Sequence, residues 1–171
     1  MPDLWTEDPR LAALYDIECA GRWDHDLYLA LATELGAASV VDIGCGTGVF
    51  AVDAAAPGRR VIGVDPAVAM LDLARTRPGG ERVEWIHGTA DDIPDSCADL
   101  VIMMGHVAQY FVADDQWTHL LGQVRRMLMP GGHLAFETRN PLVDWSARWT
   151  HAPPRWASPR RQRDVAISQQ R

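Results

Sequence analysis

The sequence predicts an α/β fold, with a parallel sheet carrying helices on its faces, and three observations predict it. Short apolar runs of four or five residues alternate with segments of helical spacing between Ser39 and Glu137. The first of those runs ends directly in three closely spaced glycines, Gly44, Gly46 and Gly48. A chain of 171 residues with 47% hydrophobic content is long enough to bury one core. Strands that alternate with helices form βαβ units, which make parallel sheets through right-handed crossovers.

Each element has its own signal. Between Pro9 and Leu35, Leu11, Leu14 and Tyr15, then Leu27, Leu29 and Leu31, recur at helical spacing. Gly21 divides this stretch into two helices and Gly36 ends the second. Ser39 to Ile43 reads as a buried strand. A short helix follows from Gly48 to Ala56, closed by Pro57 and Gly58. Val61 to Val64 is the second strand. Ala67 to Arg77 is a helix with Met70, Leu71 and Leu73 near one face, stopped by Pro78-Gly79-Gly80. Val83 to Ile86 alternates, which suits a third strand nearer an edge, and Leu100 to Met104 is a wholly apolar fourth. Asp114 is expected to N-cap a helix that turns Trp117, Leu120, Leu121, Val124 and Leu128 inward. Met129-Pro130-Gly131-Gly132 ends it, and His133 to Glu137 is the fifth strand.

No pair of further strands is legible after Glu137. From about Trp149 the chain holds Pro153, Pro154 and Pro159, with Arg155, Arg160, Arg161, Arg163 and Arg171 against the single acid Asp164. It reads as a mobile basic tail. The expected division is cap helices over residues 1–36, an α/β domain over 37–148 and the tail over 149–171.

Composition narrows the function classes. The formal net charge of −7 repels phosphate backbones, so no nucleic acid partner is expected. All 16 cationic residues are Arg, which removes Schiff-base and P-loop lysine chemistry. Cys19, Cys45 and Cys97 are scattered and odd in number. They offer neither a disulfide framework nor metal-ligand spacing, so no metal is expected and a reducing cytoplasm fits. The start, MPDLWTEDPR, is charged and lacks the apolar stretch of a signal peptide. No run approaches the ~20 apolar residues of a membrane span.

The strongest chemical signal is Val40-Val41-Asp42-Ile43-Gly44-Cys45-Gly46-Thr47-Gly48. A strand runs into glycines that tolerate positive φ and close ligand approach, and the next helix presents unpaired N–H groups. Such a loop suits a nucleotide-like ligand at the carboxyl ends of a parallel sheet. The dinucleotide pattern is GxGxxG, whereas here the spacing is GxGxG and Val49 stands where the third glycine of that pattern would fall. Asp42, two residues before the first glycine, suits a ligand with a cationic end and fits a pyrophosphate poorly.

The DxGxGxG run resembles motif I of the class I S-adenosylmethionine-dependent methyltransferases, and the resemblance spans about Tyr15 to Glu137. Gly63-Val64-Asp65-Pro66 places an acid at the end of strand two, where the family's ribose ligand stands; two carboxylate oxygens can accept from both ribose hydroxyls. Gly88-Thr89-Ala90-Asp91-Asp92-Ile93-Pro94 resembles the family's GDAxxLP-type loop for adenine. Thr89 departs from the more common Asp there, so Asp91 becomes the expected partner of the adenine amino group. The run Arg126-Met127-Leu128-Met129-Pro130-Gly131-Gly132 is similar to the family's LKPGG turn, a structural element without chemistry.

The resemblance implies a three-layer Rossmann-like sheet of order 3-2-1-4-5, with its switch point between strands one and four. It implies S-adenosyl-L-methionine as donor and S-adenosyl-L-homocysteine as product. The donor site it implies comprises Asp42, Gly44, Cys45, Gly46, Thr47, Gly48, Asp65, Pro66, Met70, Ala90, Asp91 and Gly105. The reacting methyl is expected near the loop after strand four, Gly105 to Tyr110. That loop lacks the (D/N)PPY motif of amino-methyltransferases acting on DNA bases or glutamine, and lacks a Cys nucleophile. His106 has the pKa range of a general base, and Gln109 and Tyr110 could orient an acceptor. Tyr15, Asp16 and Trp23, in the cap helices, are candidates to line the pocket.

The family's sheet usually continues into an antiparallel hairpin, which is expected to be missing or reduced here. Strand five then risks an open edge. Trp145, Trp149 and Trp156 could cover it or form a homodimer interface. The function expected is methyl transfer to a small-molecule acceptor whose reacting atom stays open. A donor-binding module without turnover is the alternative, and a nicotinamide-dependent oxidoreductase is disfavoured by the glycine spacing and Asp42.

Overall fold

A computed structural model describes residues 4–18, 23–56, 58–143 and 165–169. Three N-terminal helices, α1 (Leu4–Glu7), α2 (Pro9–Glu18) and α3 (Trp23–Glu34), precede the sheet. The core alternates β1 (Ser39–Ile43), α4 (Val49–Ala54), β2 (Arg60–Asp65), α5 (Val68–Thr76), β3 (Val83–His87), β4 (Ala98–Met103), α6 (Asp114–Met127) and β5 (Leu128–Glu137). A last strand, β6 (Val165–Gln169), closes the order β3-β2-β1-β4-β5-β6.

The first five strands are parallel, in the predicted order 3-2-1-4-5. Their apolar runs are explained by burial on both faces. Tyr28 and Ala32 of α3 and Phe50 and Ala51 of α4 pack with Val40, Val61, Leu100 and Ile102 on one face. Leu120, Val124 and Met127 of α6 pack with Val41, Ile62, Val101 and Met103 on the other. β3 lies at an edge, as its alternation predicted. Among the described residues no helix is long and apolar enough to cross a membrane.

The structure corrects several expectations. The reading of residues 149–171 as a mobile tail fails at 165–169, where β6 pairs antiparallel with β5 from His133↔Gln169 to Glu137↔Val165. Alternating Val165-Ala166-Ile167-Ser168 was the available strand signal. The β5 edge is therefore occupied within the chain, and the open-edge argument for a dimer loses its ground. Trp145, Trp149 and Trp156 and the proline-rich stretch lie outside the described residues. β5 begins at Leu128, not His133, so the Pro-Gly-Gly run lies in the strand, with a register irregularity between Ala98 and Leu100 opposite it. Asp114 is the first helical residue of α6 and Ala113 takes the cap position. Leu121 is exposed and does not face the core.

Candidate functional site

A cavity of about 680 Å³ lies at the carboxyl ends of the parallel strands. That volume falls in the range of small-molecule and cofactor sites. Its floor comes from strand ends and the turns after them: Ile43, Gly44 and Gly46 after β1, Val64 to Ala67 after β2, Gly88 to Asp91 after β3, and Met104, Gly105 and Val107 after β4. Thr6 and Tyr15 from the N-terminal helices close one side, and Tyr110, Phe111, Asp115, Gln116, His119 and Leu120 another.

The glycine loop has the geometry its composition demands. Gly44, Gly46 and Gly48 have φ of 74°, 54° and 75°. Each glycine has its own reason. A Cβ on Gly44 would meet Val107 Cγ2 at 2.4 Å, and one on Gly48 would meet the Trp85 ring at 2.4 Å. A Cβ on Gly46 meets nothing within 4 Å. Gly46 instead donates its N–H to Asp65 Oδ2 at 2.8 Å, while Ala67 N–H donates to Oδ1 at 2.8 Å. These two bonds aim the Asp65 carboxylate along the cavity floor. Burial raises its pKa, and the two N–H donors oppose the shift.

Asp42 is buried beneath the loop, and its Oδ1 has no hydrogen-bond partner among the described residues. Burial, and then the Asp65 charge, push its pKa up to about 7. A buried carboxyl lacking a partner is costly and is a site where a cationic group is accommodated. Cys45 is also buried, and desolvation raises its thiol pKa, which leaves it inert as a nucleophile.

Of the predicted donor-site residues, Gly44, Gly46, Asp65, Pro66, Met70, Ala90, Asp91 and Gly105 line the cavity. Asp42, Cys45, Thr47 and Gly48 stand behind that lining. Thr47 donates from Oγ1 to Asp16 Oδ1 at 2.5 Å, Arg77 pairs with the other Asp16 oxygen, and Arg77 Nε donates to Thr47 O at 2.9 Å. Asp16 thus fastens α2 to the glycine loop rather than entering the cavity. Tyr15 and Tyr110 line it. Gln109 does not, and the side chain of Trp23 lies outside the described residues.

His106 stands between two lining residues, with φ of 74°, and its Nδ1 is 3.9 Å from Glu137 Oε1. Asp91 Oδ1 accepts from His119 Nε2 at 2.7 Å across the cavity wall. Sequence reasoning did not single out Trp85, Arg77, His119 or Glu137 for the site. For Glu137 a signal existed, since it is an acid at the end of an otherwise apolar strand.

The cavity has the features of an S-adenosylmethionine site: a glycine turn with an open face at Gly46, an oriented acid at Asp65 and a buried carboxyl at Asp42 whose Oδ1 has no hydrogen-bond partner among the described residues. Comparison with known proteins agrees. The family described as "Methyltransferase domain" matches residues 40–132, more than half of the chain. A malonyl-[acyl-carrier protein] O-methyltransferase of Pectobacterium atrosepticum is 34% identical over 125 residues, covering 71% of this chain and 47% of the relative. An N-demethylindolmycin N-methyltransferase of Streptomyces griseus is 33% identical over 123 residues, covering 66% and 50%. The N-methyltransferase NodS of Bradyrhizobium japonicum, solved with S-adenosylhomocysteine, superposes with a TM-score of 0.61 at 25% identity, covering 74% of this chain and 64% of that one. The chain spans 24%, 47% and 42% of the lengths of three curated relatives it matches. It belongs to the methyltransferase-domain family, the class I S-adenosylmethionine-dependent methyltransferases.

Proposed function

We propose that the chain transfers a methyl group from S-adenosylmethionine to a small-molecule acceptor, with the donor held in the cavity over β1, β2 and β4. The observation that carries this reading is the pairing of Asp65, oriented by two backbone N–H groups, with the buried Asp42, whose Oδ1 has no hydrogen-bond partner among the described residues, under the same glycine turn. Asp65 would accept from the ribose hydroxyls. Asp42, behind the lining under the glycine turn, would favour the cationic amino-acid end through its charge, and Asp91 would face the adenine. The charge of the lining supports a cationic donor over a dinucleotide. Asp65, Asp91 and Asp115 line the cavity, and among the described residues no Arg does. A pyrophosphate would have no counter-charge there.

When bound, the donor supplies an activated methyl on a sulfonium, so the protein's task is alignment and exclusion of water. The acceptor class is supported by relatives whose names give malonyl-[acyl-carrier protein] and N-demethylindolmycin as substrates. Calorimetric titration of S-adenosylhomocysteine tests the donor site. Asp65→Asn removes the charge but keeps a group that can accept one backbone N–H. It should weaken binding ~10-fold or more, about 1.4 kcal/mol. Equal affinity in the variant, or thermal protection by NAD and none by S-adenosylmethionine, would overturn the reading.

A further inference from the structure

The parallel register of β4 and β5 sets Met103 beside Phe136, so the residues that follow each strand meet at one edge of the cavity. Glu137 is the last residue of β5 and is 2% exposed. A carboxylate that deep is costly unless another group engages it. One group within ion-pair reach of it is His106, from the loop after β4, with Nδ1 3.9 Å from Oε1. Among the described residues, this is the carboxylate within ion-pair distance of that ring. His106 is itself held in the left-handed region at φ 74°, directly after Gly105 at φ 65°. That conformation is uncommon for a residue with a side chain, and such strain concentrates at functional sites. The chain neighbours Gly105 and Val107 both line the cavity, while His106 itself stands at that edge outside the lining.

We propose that Glu137 is a positioning residue for His106, and that the pair serves as the proton sink of methyl transfer. This rests on the methyltransferase reading above. The carboxylate favours the tautomer with its proton on Nδ1, which makes the Nε2 lone pair the base. Nε2 takes the proton of an acceptor O–H or N–H as the acceptor's electron pair attacks the methyl carbon. The carbon–sulfur bonding pair leaves with sulfur as S-adenosylhomocysteine, and the imidazolium formed is stabilised by Glu137 until its proton passes to water. A distance of 3.9 Å is longer than a hydrogen bond, and such contacts tighten when the reacting partner is bound. The acceptor is accordingly a nucleophile that carries a removable proton, a hydroxyl or an amine, and not a thioether or tertiary amine.

The test is the long-range proton–nitrogen spectrum of the imidazole side chains in the whole ¹⁵N-labelled chain, assigned with His106→Gln. His106 should rest with its proton on Nδ1. In Glu137→Gln that preference should be lost and the titration midpoint of His106 should fall by about one unit, because the imidazolium loses its counter-charge. An unchanged tautomer and midpoint in a folded variant overturn the proposal. If Glu137→Gln does not fold, Glu137→Asp keeps a carboxylate one methylene shorter. It should lower the midpoint by a smaller step, and no change again overturns the pairing. S-adenosylhomocysteine titrated into the wild-type sample separates the two readings. Its failure to bind defeats the donor site, while the spectra still decide the pair. Turnover confined to thioethers or tertiary amines would overturn the proton-sink role.

Discussion

A Cβ at Gly48 would meet the Trp85 ring at 2.4 Å and the Ala74 methyl at 2.8 Å, on a backbone at φ 75°. Two costs therefore fall on Gly48→Ala: left-handed strain of about 1–2 kcal/mol, and overpacking of about 1–3 kcal/mol. Gly46→Ala carries the strain alone, because nothing lies within 4 Å of its Cβ. Denaturant unfolding should show Gly48→Ala to be the more destabilised of the two by at least ~1 kcal/mol. Calorimetry should show Gly46→Ala losing more donor affinity, since Gly46 lines the cavity and its methyl would enter open space. The reverse order on both measurements would mean that the loop's glycines serve the ligand alone. Asp42 makes a second prediction at this scale. It titrates near 3.8 in the unfolded chain and is raised to about 7 when folded. The folded state therefore holds the proton over that window. The stability it contributes is fully present below about pH 3.8 and is lost as the pH rises through about 7. Midpoints of urea unfolding should fall from pH 5 to 8, and Asp42→Asn should flatten that fall. A wild-type slope that survives in the variant would assign it to other groups.

At the scale of elements, α2 is fastened to the glycine loop by one short network. Asp16 accepts from Thr47 and pairs with Arg77, which also reaches the Thr47 carbonyl. The Asp16 and Arg77 side chains are partly exposed, so the pair's own contribution is screened and modest. Its value lies in geometry, because Tyr15, the neighbour of Asp16, forms a wall of the cavity. Arg77→Met should speed hydrogen exchange across residues 9–18 several-fold while leaving the sheet's protection unchanged. Unaltered exchange in α2 would show that the contacts of Ala12 and Tyr15 with Ala67 and Met70 hold the helix without the network. This network was not legible in the sequence, because Asp16, Thr47 and Arg77 are brought together only by the fold. The five parallel strands were legible, since β1, β2 and β4 are buried on both faces and must be apolar throughout. The strand β5 was legible only in part. Its Pro-Gly-Gly run reads as a turn locally, and pairing with β4 is what extends it. Asp65 was legible because a strand end before a turn leaves a side chain few directions. The Glu137–His106 contact was not, because it depends on the register of β4 against β5.

For the molecule as a whole, the sheet's two margins decide how it behaves in solution. One margin is β3, a five-residue strand whose exposed Glu84 pairs with Arg60 at 2.7 Å. A short strand with a charged face resists pairing with another copy. The other margin is β6, which occupies the backbone of β5 from His133 to Glu137. Without β6, β5 would present a row of unpaired N–H and C=O groups beside Leu134 and Ala135, both buried in the described structure. Removing residues 165–171 should therefore do two things. Loss of the pairing should lower the thermal midpoint. The bare edge should drive concentration-dependent association in light scattering, through pairing of β5 with a second copy. Glu137 adds a functional consequence, since it sits opposite Val165 in the β5–β6 ladder. If β6 steadies the strand end that carries Glu137, the truncated chain should also shift the His106 titration while binding S-adenosylhomocysteine as before. A truncated chain that keeps the full-length midpoint, mass and His106 titration would show that β5 ends the working sheet, with β6 adding neither stability nor geometry.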